Sequence, residues 1–106
     1  MYLLMIQRIQ ELARKGYICI TLHARHEMDH DRVSTDELLG VLQSPSSEII
    51  EDYPNDPRGH SHLLLGWLTV EDPLHICCAI HEEELIIITV YRPDQAIWQS
   101  DWRKRK

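Results

Sequence analysis

From Tyr2 to Lys15 the apolar residues Met5, Ile6, Ile9, Leu12 and Ala13 recur at helical spacing, and Gly16 follows where helices commonly close. The pattern predicts an amphipathic N-terminal helix within residues 1–16. Tyr17-Ile18-Cys19-Ile20-Thr21 is β-branched and aromatic enough for a short strand, while Thr21 equally suits the N-cap of a second helix from Leu22 to about His30. That second helix has few apolar residues. Ser34 and Glu37 then form a capping box, Leu38, Leu39, Val41 and Leu42 supply a buried helical face, and Ser44-Pro45 ends it.

Beyond Ser47 the period shortens to that of strands: Glu48 to Tyr53, His62 to Val70, Leu74 to His81 and Leu85 to Arg92. The separators are short and polar, which favours antiparallel neighbours. The expectation is therefore a single α+β domain spanning 1–106, with helices packed on a four-stranded antiparallel sheet. On the third of these strands Leu74, Ile76, Cys78 and Ile80 share the expected core side, and His75, Cys77, Ala79 and His81 share a partly polar, open side. In the last stretch, Pro93 to Lys106, Ile97, Trp98 and Trp102 stand at helix-like spacing that suits packing back on the domain before a fraying tail.

Composition narrows the function classes. Of 106 residues 43% are apolar, enough for one core, and no run of 18 apolar residues or signal-peptide core occurs. Three cysteines cannot all pair within one chain, and the neighbours Cys77 and Cys78 point to opposite faces, so a reducing, cytoplasmic setting is expected. Residues 103–106, Arg-Lys-Arg-Lys, supply a +4 basic tail to a chain of net charge −6, leaving −10 for the rest. Such a body is not expected to bind DNA on its own, nor a membrane, and any RNA contact must use a local patch or the tail.

Histidine is in excess, with seven residues, of which His23, His26 and His30 fall at i, i+3 and i+7. Imidazoles one turn apart can share a metal ion, but no carboxylate or cysteine stands at a diagnostic spacing, and solvated histidines account for the pattern equally well. Metal-free RNA cleavage needs a base for the 2′-hydroxyl, an acid for the leaving oxygen and cations for the phosphorane. His23, Arg25, His75, Tyr91 and Arg92 offer those groups. Glu48, Glu51, Asp52 and Asp56 form either a charged edge strand or a dock for a basic partner. Cys77 and Cys78 read as packing residues.

The run His23-Ala24, Met28, Glu51-Asp52-Tyr53-Pro54, Ser61 with Leu63-Leu64-Leu65-Gly66, Pro73-Leu74-His75, and Ile88-Thr89-Val90-Tyr91-Arg92-Pro93-Asp94 with Trp98 resembles the domain-of-unknown-function family 4258. The resemblance spans about residues 20–105. It implies a RelE-like fold, kinship with the toxin side of toxin–antitoxin modules, and metal-independent cleavage of mRNA without a cofactor. His23, His75, Tyr91 and Arg92 are then the expected catalytic residues, and Arg25, Arg32 and Trp98 the expected substrate contacts. The implied partner is a small zinc-finger protein of the antitoxin type, with RNA or the ribosome as target. A non-catalytic partner protein on the same scaffold is the alternative. Where relatives usually carry Arg before the Met and Arg-Gly-Ile after it, this chain has Glu27 and Asp31-Arg32-Val33, which removes two cations. Where a small residue is usual after Ser61, it has His62.

Overall fold

The computed structural model describes residues 2–106. Its elements run α1 (Leu3–Lys15), β1 (Ile18–Ile20), α2 (Leu22–Asp31), α3 (Thr35–Gln43), β2 (Glu48–Tyr53), β3 (Ser61–Thr69), β4 (Asp72–His81) and β5 (Glu84–Tyr91). None of these helices is long and apolar enough to cross a membrane.

The sheet has five strands, not four, in the order β1-β5-β4-β3-β2. Strands β2 to β5 form the expected antiparallel meander, and β1 adds a parallel edge, with Ile18 opposite Leu85 and Ile20 opposite Ile87. Thr21 serves both readings of its segment. Its backbone is extended, its hydroxyl donates to the Ile88 carbonyl (3.1 Å), and the same oxygen accepts from the Ala24 amide (3.1 Å) to cap α2. A three-residue strand too short to announce itself by alternation is thus fixed by a partner 67 positions away.

All three helices lie on one face. Ile9, Leu12 and Ala13 of α1, Ala24 and Met28 of α2, and Leu38, Val41 and Leu42 of α3 bury against Leu64, Leu74, Ile76, Cys78, Leu85, Ile87 and Val90. The capping box of α3 forms as its sequence requires, with Ser34 Oγ accepting from the Glu37 amide and Glu37 Oε1 accepting from the Ser34 amide. Burial of this face supplies most of the driving force for folding, at roughly 25 cal/mol per Å² of apolar surface.

The opposite face is only partly open. Leu63, Cys77, Ala79 and Ile88 are buried there beneath Trp98, with Trp102 at the margin. The covering segment after β5 is not helical, contrary to its spacing. The Asp94 side chain accepts from the Ala96 amide and its carbonyl from the Ile97 and Trp98 amides, a tight turn. The chain then doubles back, pairing Trp98 with Arg105, with Trp102 at φ +64°. Trp98 and Trp102 share a face because a loop folds both onto the sheet. Beyond that cover the face opens as a hollow of about 340 Å³ over Ala79, Ile80, Ile86 and Ile88, with His23, Arg58 and His81 at its rim.

Gly66 allows α3 to approach β3, since a Cβ there lies 2.2 Å from Val41 Cγ1 and 3.0 Å from Ser47 Oγ, itself buried and bonded to the Val41 carbonyl. Gly66→Ala is expected to cost about 1–3 kcal/mol in urea unfolding, and adding Val41→Ala to recover part of that loss as a measurable coupling.

Candidate functional site

Two of the four expected catalytic residues, His75 and Tyr91, meet at one end of the sheet. His75 and Tyr91 are cross-strand partners on β4 and β5, and the Tyr91 hydroxyl lies 3.1 Å from His75 Nδ1. On the other side of the ring, Nε2 stands 2.9 Å from the Trp102 carbonyl. A carbonyl only accepts, so Nε2 carries the proton and Nδ1 accepts from Tyr91. Trp98 packs edge-on against the ring at 4.4 Å between centroids, and His75 has no exposed surface. Burial holds the imidazole below its ordinary 6.5, with the Trp102 carbonyl pulling weakly the other way. Burial likewise pushes the Tyr91 phenol up to about 12. A neutral imidazole with both nitrogens occupied and no path to solvent has no vacancy for a substrate proton.

The remaining expected residues scatter. Arg92 is bidentate to Asp72 (2.9 and 3.2 Å), and Trp98 is buried. Arg25 donates to Thr35 Oγ1, and Arg32 occupies the left-handed position (φ +57°) that closes α2. His23 is exposed, 3.2 Å from Glu27. His23, His26 and His30 do line one hollow, of about 390 Å³, with Glu27, Asp31 and Tyr91. Their ligand atoms do not converge on a common point for an ion.

The two carboxylates that replace expected cations have structural work. Past the end of β1 the edge of β5 has no strand neighbour, and α2 lies along it instead. Glu27 Oε1 accepts from the Val90 amide (3.0 Å) and Asp31 Oδ2 from the Arg92 amide (2.9 Å). Side-chain oxygens thus stand in for the missing strand's carbonyls, which explains how a helix with so few apolar residues is held. Burial pulls the Asp31 carboxyl up, but the Arg92 amide and His30 hold it below the ordinary carboxylate range.

The acidic edge meets a basic partner within the chain itself. Arg105 is bidentate to Glu51 and lies 4.6 Å over the Trp98 ring, and Arg103 pairs by charge with Glu48. Tyr53 donates a short hydrogen bond to the same Glu51. The tail is therefore pinned along β2, with Lys104 and Lys106 left exposed.

One grouping went unnoticed in the sequence. Asp52 and His62 are cross-strand partners on β2 and β3, and His60, two positions earlier in the bend that precedes β3, stacks its ring on that of His62. Asp52 Oδ1 lies 2.5 Å from His60 Nε2 and 3.1 Å from His62 Nε2. The signal was present as His-Ser-His, but the Asp eight residues earlier joins it only through the hairpin.

Glu27→Ala leaves the buried Val90 amide without an acceptor and is expected to cost about 1–3 kcal/mol, with faster amide exchange at Val90, whereas Glu27→Gln retains most of the stability. Above about pH 7 His75 is neutral whether the chain is folded or not. As pH falls through 6.5 the unfolded chain takes up a proton that the folded one refuses. Unfolding free energy should therefore decline from about pH 7.5 to 5.5. His75→Gln, which keeps a donor for the Trp102 carbonyl, should be less stable at the upper pH yet show a shallower decline. His62, also held low by burial, accounts for the slope that remains.

No curated protein and no solved structure matches the chain. A family model described as Domain of unknown function (DUF4258) matches residues 20–92. The span runs from the end of β1 to the residue after β5, taking in His23, His75, Tyr91 and Arg92 but not Trp98 or the tail. The chain belongs to that family of uncharacterised domains.

Proposed function

We propose that this protein is a non-catalytic, toxin-like binding domain that docks on a small partner protein, of the zinc-finger antitoxin type implied by the family resemblance. The observation that carries this reading is the division of the sheet's second face. His75 is sealed under Trp98 and the C-terminal loop, while toward the other end the face opens as a hollow lined by Ile80 and Ile86 over the buried Ala79 and Ile88. An uncovered apolar hollow with a charged rim suits an inserted apolar side chain of a partner. Charge argues the same way: Arg58, Arg92, Arg103 and Arg105, four of the cations an RNA contact would draw on, are each already engaged by a carboxylate within the chain. The scaffold itself, helices on one face of a largely antiparallel sheet, is compatible with a RelE-like origin.

Metal-independent endoribonuclease activity is the second reading. It is favoured by the three exposed imidazoles and the Tyr91 ring around one hollow, groups suited to acid–base catalysis. His23, rather than buried His75, is then the acid or base, and Glu27 and Asp31 are unfavourable neighbours for phosphate.

The purified chain, in excess chelator with and without ribosomes, is expected to leave a mixed mRNA uncut. Cleavage that His23→Ala abolishes in a folded protein would establish the second reading instead. Co-expressed with the product of its neighbouring reading frame, the chain is expected to elute as one complex. Ile86→Glu should weaken that complex at least roughly tenfold by placing a charge in the hollow. A folded Ile86→Glu variant that binds as tightly as the wild type removes the hollow from the interface.

A further inference from the structure

On the helix-bearing side of the sheet, at the β2–β3 hairpin, two imidazoles and a carboxylate point at one another. His60 and His62 both present Nε2 to a single oxygen, Asp52 Oδ1, and the ligand atoms of all three lie within 4.8 Å of one another. Their rings stack at 4.6 Å between centroids, 28° from parallel. The three side chains differ in setting: His62 is buried, with Tyr2 edge-on to its ring, while His60 and Asp52 reach solvent.

An ion pair needs one imidazole, not two on the same oxygen. Two neutral imidazole nitrogens and one carboxylate oxygen are, by contrast, a common donor set for a zinc-class ion with a position left for water. Tetrahedral bonds of about 2.0–2.1 Å put neighbouring donor atoms about 3.3 Å apart. The present 2.5 and 3.1 Å separations need to widen by less than about 1 Å to admit the ion, a movement within the reach of exposed His60. The fold already supplies the rest: antiparallel register puts His62 opposite Asp52, and the bend just before β3 stacks the His60 ring on that of His62.

We infer that Asp52, His60 and His62 bind one divalent transition-metal ion of the zinc class, with at least one coordination position open to solvent. The ion ties the segment between β2 and β3 to both strands. This site is separate from the hollow proposed for partner docking and stands whether or not that docking occurs.

The test is titration of the full chain, stripped with chelator, with Co²⁺ and then Zn²⁺. The expected result is one equivalent of Co²⁺ giving visible d–d bands of low-coordinate cobalt, displaced by one equivalent of Zn²⁺, with a rise in melting temperature. Loss of an outer-shell partner costs metal sites roughly 10–100-fold, so His60→Ala, which removes a ligand, should weaken binding at least roughly 100-fold. Because that ring is exposed, the variant should remain folded, as a circular dichroism spectrum will check. Asp52→Asn should behave similarly and His30→Ala like the wild type. Absence of the cobalt bands, equal affinity in wild type and His60→Ala, or loss of binding in His30→Ala each overturns the assignment.

Discussion

A buried imidazole has to find partners for both of its nitrogens, and at His75 that requirement organises one side of the molecule. The ring can be satisfied from within its own sheet only once, by Tyr91. The other partner has to come from outside the sheet, and the Trp102 carbonyl supplies it. The chain after β5 must therefore return over β4, and Trp98 fills the space beside the ring as it does so. Arg105 then reaches both Trp98 and Glu51, which fixes the tail along β2. One fully buried imidazole thus helps decide where the last dozen residues lie.

The same economy appears in the charges. The sequence reads as an acidic body with a basic tail. In the fold they meet each other, while Glu27 and Asp31 act as backbone acceptors along β5 and Asp52 converges with two histidines at the β2–β3 hairpin. Surface ion pairs of this kind add little stability individually, typically up to about 1 kcal/mol. Their larger effect is to settle which segments lie side by side.

Much of this architecture was legible from local pattern. The capping box at Ser34, the apolar period of α1, the meander and the two faces of β4 all follow from spacing and separators, because each is decided within a few residues. What was not legible depends on distant partners. Strand β1 is three residues long and exists because β5 offers it an edge, and the loop carrying Trp98 and Trp102 mimics helical spacing while obeying a turn at Asp94. The candidate site followed the same rule. Both His75 and Tyr91 were singled out as candidates, but their hydrogen bond and the sealing by Trp102 depend on register and on the returning loop, and Asp52 meets His60 and His62 only across a hairpin.

The parallel edge formed by β1 also sets the order in which the chain can fold. Ile18 and Ile20 pair with Leu85 and Ile87, and Thr21 bonds to Ile88, so these contacts close a loop of more than sixty residues. Contacts of such span carry a large chain-closure entropy and form late. During synthesis β1 and α2 emerge well before β5, the strand against which both lie, whereas α1 packs chiefly on α3 and has its partner sooner. Until β5 is made, β1 has no strand to pair with and the sheet that the helices cover is incomplete. The β1–α2 segment is therefore the last piece of the domain to become resistant to proteolysis as translation proceeds.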